Sequence, residues 1–152
     1  MDEIYMKEAL KEAQKACDIK EVPIGAVIVR DGIIIGRGFN EKETLKDATL
    51  HAEISAIKEA CNTLGGWRLP GCTMYVTLEP CCMCAGALVN ARVERLVIGT
   101  KDYKTGACGS VMNVVQESKL NHQIEVQFGV LEEECTHILK SFFKELRNTK
   151  NI

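Results

Sequence analysis

The sequence predicts an α/β protein in which helices cover a mixed sheet. Two observations carry that prediction. Segments of helical and strand periodicity alternate along the chain in the order helix, hairpin, helix, strand, helix, strand, loop, strand, helix. No repeat, linker or low-complexity tract interrupts them, so the 152 residues read as a single domain, 1–152.

Each element has its own warrant. Met6, Leu10, Ala13 and Cys17 fall at helical spacing, so the first seventeen residues or so form an amphipathic helix. Val22 to Val29 is an apolar run, and Asp31-Gly32 separates it from Ile33-Ile34-Ile35. That is the two-residue hairpin signal. Ile54, Ile57, Cys61 and Leu64 recur on one helical face, so a helix opens near His51 and Gly65-Gly66 ends it. Thr73 to Leu78 is a third strand, a helix starts at Cys81 after Pro80, and Val93 to Ile98 is a fourth strand. Gly99 to Ser110 is the one long loop expected, and long ordered loops in compact domains tend to be functional. Ile124, Val126 and Phe128 alternate as a fifth strand. Leu131, Cys135, Ile138, Leu139, Phe142, Phe143 and Leu146 make a long terminal amphipathic helix.

Composition narrows the function classes. Hydrophobic residues are 46% and charged residues 26%, which suits a globular domain and argues against a disordered or fibrous one. No apolar run is long enough to span a membrane. Met1 to Lys20 carries several acids and lacks an apolar core, so a signal peptide is not expected and the protein should be cytoplasmic. Its eight cysteines then read as thiols or metal ligands, not as a disulfide framework. A net charge of −2 points to a small-molecule enzyme, or to a basic patch on an otherwise acidic nucleic-acid binder.

Two short motifs carry the chemistry. His51-Ala52-Glu53 is followed, twenty-seven residues on, by Pro80-Cys81-Cys82-Met83-Cys84. Zinc favours nitrogen and sulfur ligands in a tetrahedron, and His51, Cys81 and Cys84 supply three. A catalytic zinc keeps its fourth position open, and neither motif offers a fourth ligand. A closed structural zinc is the alternative. Cys81 and Cys84 share a helix face, whereas Cys82 points about 100° away and is assigned to helix packing. Both motifs sit at expected helix N-termini, whose partial positive charge favours thiolates. Glu53 reaches the same cavity without binding metal and is the expected general acid/base, moving a proton from water to a ring nitrogen and then to leaving ammonia. Such a His-x-Glu and Pro-Cys-x-x-Cys pair is the signature of zinc deaminases. Cys17, Cys61, Cys72, Cys108 and Cys135 are expected to pack as small hydrophobes, and His137 is a polar position on the last helix.

The chain resembles the bacterial tRNA-specific adenosine deaminase family, within the cytidine-deaminase-like superfamily. The resemblance runs through Val22-Pro23-Ile24-Gly25-Ala26-Val27, Asn40, His51-Ala52-Glu53 and Thr77-Leu78-Glu79-Pro80-Cys81-Cys82-Met83-Cys84-Ala85-Gly86-Ala87. It continues through Asp102-Tyr103-Lys104-Thr105-Gly106-Ala107, Asn121-His122 and Phe142-Phe143. The Met-Cys-Ala-Gly-Ala run and the Lys-Thr-Gly loop separate this family from free-base deaminases. The resemblance implies a three-layer α/β/α sandwich with a mixed five-stranded sheet and one zinc ion per subunit. It also implies adenosine-to-inosine conversion at the wobble position of a tRNA anticodon loop, by a homodimer. It further implies that Asn40 contacts the base, that Ala52 contributes backbone to the pocket, and that Asp102 meets the neighbouring nucleotide.

Further RNA contacts are expected at Arg68, Lys104, Asn121, His122, Phe142 and Arg147. Lys140, Lys144 and Arg147 form one stripe on the last helix, with Lys150 following and Lys101 and Lys104 near Asp102. The bland alternative is a solvated face that balances Glu132 to Glu134. Phe142 and Phe143 cannot both face the core; one could stack on a base, or pack at a dimer contact. Two rival functions remain. One is a deaminase of free guanine, cytosine or cytidine with the same metal site. The other is a non-catalytic partner subunit, which would lack Glu53.

Overall fold

A computed structural model describes residues 1–150. The elements are α1 (Asp2–Asp18), β1 (Gly25–Arg30), β2 (Ile33–Phe39), α2 (Ala52–Leu64), β3 (Cys72–Leu78), α3 (Cys82–Asn90), β4 (Arg95–Thr100), β5 (Glu125–Phe128) and α4 (Glu132–Lys150). They form one five-stranded sheet in the order β2-β1-β3-β4-β5. β1 pairs antiparallel with β2 and β3, while β3-β4 and β4-β5 are parallel. The mixed sheet expected from the sequence is therefore present.

The hairpin turns where its sequence says. Asp31 (φ 51°) and Gly32 (φ 75°) both take left-handed conformations, as a type I′ turn requires. Arg30 then pairs with Ile33.

Strand residues alternate between two cores. Ala26, Ile28, Met74, Val76, Leu96 and Ile98 pack toward Ala52, Ala56 and Ala60 of α2 and Ala85 and Leu88 of α3. Val27, Val29, Tyr75 and Val97 point the other way, toward Met6 and Ala9 of α1 and Cys135 of α4. The sandwich has three layers, with the central strands buried on both faces, and this explains why β1 reads as an uninterrupted apolar run. β2 lies very close to α2. A Cβ on Gly36 would stand 2.3 Å from the Ala56 carbonyl, and one on Gly38 would stand 2.2 Å from the Ala52 carbonyl.

Several boundaries differ from the sequence reading, each for a local reason. The first strand starts at Gly25, not Val22, because Ile24 donates to the Val22 carbonyl in a turn around Pro23. The fourth starts at Arg95, not Val93, because Arg92 is left-handed and Val93 donates back to Leu88 to close α3. The second strand extends past Ile35 to Phe39, its glycines reflecting the approach of α2 rather than a loop. The irregular segment after β4 runs through residues 101–124, longer than the loop expected, and is pinned by the buried Val115 and a hydrogen bond from Ile124 to the Val115 carbonyl. No described helix is long and apolar enough to cross a membrane.

Candidate active site

Two helix N-termini converge at the carboxyl ends of β3 and β4. His51 is the N-cap of α2 and Cys81 the N-cap of α3, and neither side chain caps its own helix. Each is turned instead toward the other: the Cys81 Sγ lies 3.7 Å from His51 Nδ1, and the Cys84 Sγ, one turn into α3, lies 3.6 Å from the same nitrogen. These three form the one cluster of metal-ligating side chains among the described residues, with donor atoms all within 4.8 Å of one another. A tetrahedral zinc with ordinary Zn–S and Zn–N bonds sets its ligand atoms about 3.6 Å apart. The spacing and the soft donor set therefore fit zinc. A hydrogen bond from Cys84 holds the Cys81 thiol down to about 5, while the same pairing and burial push Cys84 up.

Glu53 sits in the first turn of α2, buried, facing the thiol of Cys84. Burial pushes its carboxyl up to about 7, with the Cys81 charge adding to the shift and the hydrogen bond with Cys84 opposing it. A carboxyl in that range can take and return a proton near neutrality. Ala52, between His51 and Glu53, is fully buried and its methyl belongs to the core. Cys82 is exposed and does not pack in the helix interface, contrary to expectation, because the first turn of α3 projects it away from both cores. Cys72, Cys108 and Cys135 are buried as expected, while Cys17 and Cys61 are only half-buried.

A cleft of about 700 Å³ opens over His51, lined by Val22, Asn40, Asp102, Lys104, Leu139 and Phe143 among others. Asn40 directly follows β2; its Nδ2 donates to the Val22 carbonyl and its Oδ1 accepts from Lys42 N–H. Asp102 accepts from the N–H groups of Lys104 and Thr105 and from the Thr105 hydroxyl. A second cleft of about 730 Å³ shares Leu78, Lys101, Lys104, Leu139, Lys140 and Phe143 with the first and continues along α4 past Lys144 and Arg147. It contains five basic side chains and no acidic one. The basic stripe of the last helix, though its side chains are exposed to solvent, thus lines a groove that adjoins the site.

The remaining expected RNA contacts lie elsewhere. Arg68 stacks on Trp67, 4.6 Å from its ring centre, beyond the C-terminal end of α2. That is about 20 Å of helix from His51. His122 Nε2 lies 2.7 Å from the Val93 carbonyl, next to exposed Asn121, at the start of β4 and so at the opposite end of the sheet. Within one chain these three are not at the site. Phe142 faces a cleft between α1 and α4, and it is Phe143, 40% exposed, that reaches the groove. The sequence reading also passed over Glu79, a buried carboxylate two residues before Cys81. Its signal was a charged residue ending an apolar strand directly before the Pro-Cys motif.

Comparison with known proteins agrees with this geometry. The model of the MafB19-like deaminase family matches residues 1–147. The tRNA-specific adenosine deaminase of Bacillus subtilis (strain 168) is 58% identical over 149 residues, 98% of this chain and 92% of the relative. A solved structure from a study of A-to-I editing by tRNA deaminases at the wobble position of transfer RNA is 47% identical, with a TM-score of 0.85 over 89% of this chain and 98% of that one. A guanine deaminase from Nitrosomonas europaea shares the fold, with a TM-score of 0.77 at 23% identity over 92% of this chain and 83% of that one. Fold, site and family together define a hydrolytic deaminase. More narrowly, the chain belongs to the bacterial tRNA-specific adenosine deaminase family.

Proposed function

We propose that this protein converts adenosine to inosine at the wobble position of a tRNA anticodon, with one zinc ion held by His51, Cys81 and Cys84. The observation that carries the RNA substrate is the all-basic groove that joins the site and runs along α4. A free base needs a closed pocket, whereas a chain of phosphates needs an extended cationic track. Zinc bound at the three ligands supplies the Lewis acidity that makes water nucleophilic near neutral pH.

The chain's own residues do the rest. Lys104, Lys140, Lys144 and Arg147 hold phosphates on either side of the flipped adenosine, and the exposed ring of Phe143 offers a stacking surface. Asn40 and the Ala52 backbone meet the base edge, and Asp102 meets the neighbouring nucleotide. The Glu53 carboxylate takes a proton from the attacking water and gives it to the ring nitrogen beside C6; it then takes the remaining hydroxyl proton from the oxygen now on C6 and gives it to the amino group, so that the carbonyl forms and ammonia leaves. Burial of Glu53 keeps bulk water from levelling its basicity. The reaction consumes one water and releases one ammonia, with no change of oxidation state.

A cytoplasmic homodimer fits this reading, because tRNA is the substrate and Val111 and Met112 leave apolar surface for a second copy. Sedimentation of the purified protein should give twice the chain mass. The deciding experiment is inosine formation on an anticodon stem-loop with a wobble adenosine, beside free adenosine, cytidine and guanine. Conversion of the stem-loop alone is expected. Turnover of a free base or nucleoside with the stem-loop untouched would keep the chemistry and discard the RNA substrate. Metal content follows from the same preparation: Cys84→Ala should lower bound zinc well below one per chain, and stoichiometric zinc in that variant would refute the ligand set.

A further inference from the structure

Glu79 is used by no step above, yet it is one of few buried charged residues, 2% exposed. It follows β3 and precedes Pro80 and Cys81, so its backbone is tied directly to the helix that carries two of the metal ligands. Its carboxylate points the other way, into the irregular segment after β4. Oε1 accepts from the Asp102 N–H at 3.1 Å and from the Ser110 hydroxyl. Oε2 accepts from the Cys108 N–H at 3.0 Å and from the Ser110 N–H at 3.1 Å. All four partners donate to it, and all four come from one nine-residue loop. No Lys, Arg or His is among them.

The loop is shaped around this carboxylate. A Cβ at Gly106 would stand 2.4 Å from Glu79 Cδ, so the glycine is there to let the loop close over it. Ala107 N–H adds a bond to the Pro80 carbonyl, 2.8 Å. Asp102, fixed by Glu79 at its N–H, in turn fixes Lys104 and Thr105 through its own carboxylate. The outer side of this nested arrangement is the wall of the cleft over His51: Lys101, Asp102, Tyr103, Lys104 and Thr105 all line it.

We propose that Glu79 is a positioning residue for substrate: its buried carboxylate latches the Asp102–Ser110 loop so that Asp102 and Lys104 stand at the mouth of the active site. Glu79 acts through the loop and does not touch the reacting atoms. The role assigned to the mouth rests on the RNA-substrate reading above; the latch itself does not.

Glu79→Gln separates the two. An amide turned either way points NH₂ at a backbone N–H: at Asp102 in one orientation, at Cys108 and Ser110 in the other. Ser110 Oγ can reverse its role and the backbone cannot, so the first orientation is favoured and the Asp102 end opens. Loss of one such hydrogen bond to a charged group corresponds to about a tenfold effect or somewhat more. The measurements are amide hydrogen exchange, bound zinc, and kcat and KM on the stem-loop. In Glu79→Gln the amide of Asp102 should exchange about tenfold faster or more, and KM should rise by a similar factor, with zinc stoichiometric and kcat within a few-fold of wild type.

Unchanged protection at Asp102, Cys108 and Ser110 would overturn the latch. Lost zinc and a collapsed kcat with KM held would instead place Glu79 in support of the metal site, and would equally overturn it. If Glu79→Gln fails to fold, Ser110→Ala decides. It removes one donor of the four, and it should loosen the same amides and raise KM in the same direction by a smaller factor; no change in either refutes the proposal. A wild-type protein inactive on the stem-loop would refute the RNA reading, while exchange at the three amides would still report on the latch.

Discussion

His51 and Cys81 are ordinary helix N-caps by backbone conformation and unusual ones by side chain, since each forgoes its cap to face the other. The orphaned N–H groups of two helix starts therefore surround the His51, Cys81 and Cys84 cluster and favour anionic sulfur there. Glu53, in the first turn of α2, is not among the three clustered ligand side chains, so its removal tests chemistry alone. Glu53→Ala should fold and keep one zinc per chain, yet lose about 10²–10⁴-fold in kcat. Near-normal turnover in a zinc-loaded Glu53→Ala protein would remove it from the mechanism. A second residue-scale expectation concerns Asp2. Its carboxyl is held below the usual carboxylate range, chiefly by the Arg95 guanidinium, with the Tyr75 hydroxyl adding a hydrogen bond. A depressed carboxylate contributes stability that is fully present above the unfolded value of about 3.9 and is lost as pH falls through the folded value. Both partners are about a third exposed, so the contribution at neutral pH should be less than about 1 kcal/mol. Asp2→Asn should thus lower Tm slightly at pH 7 and shallow the acid limb of Tm against pH. A variant whose acid limb matches that of wild type would mean that the pair is not what links the N-terminus to β4 in acid.

At the scale of elements, the close fit of β2 against α2 sets the height of His51 and Glu53 above the sheet. Gly38→Ala would place a methyl against the Ala52 carbonyl and the Ser55 side chain, so α2 must lift at its N-terminal end. Overpacking of this kind costs about 1–3 kcal/mol. The expected outcome is a lower Tm together with weaker zinc retention against a chelator, because the ligand rides on the displaced end. A destabilised protein that retained zinc like wild type would show that the helix start can move without His51. The same packing explains what was legible in the sequence. Helix periods, the Asp31-Gly32 turn and the alternation of Ile124, Val126 and Phe128 are local signals, and the elements they mark are present. The paired motifs pointed to His51, Cys81 and Cys84, which the structure does bring together, because each motif's spacing depends on helix geometry that the sequence itself encodes. The course of the segment between β4 and β5 was not legible. Its first part, residues 102–110, is hydrogen-bonded to Glu79, a residue some twenty to thirty positions earlier in the chain, through contacts with no periodic trace. Nor could composition tell which of two adjacent phenylalanines faces the groove; that depends on how α4 rotates against β4. Arg68, Asn121 and His122 looked suitable by residue type, yet within one chain Arg68 lies past the C-terminal end of α2 and His122 lies against Val93 at the start of β4, away from His51.

Over the whole molecule, charge is segregated although the net charge is only −2. Acids cluster in the first turn of α4, while Lys140, Lys144 and Arg147 gather beside Lys101 and Lys104 along the groove. An overall acidic protein can therefore present a cationic track on the one side that matters. Phosphate contacts release counterions, and for single-stranded nucleic acid the slope of log K against log salt changes by about 0.7 per contact. Lys144→Glu combined with Arg147→Glu should weaken binding of the anticodon stem-loop and flatten that slope by about 1.4, twice the single-contact value. The loss should be similar for stem-loops of different sequence, because the groove reads backbone and not bases. Arg68→Glu makes one such charge reversal beyond the far end of α2 and is the control for the single groove variant Arg147→Glu. Equal losses from the control and the groove variant would mean that RNA responds to total charge alone, and the groove would lose its assignment as the path along which tRNA enters the site.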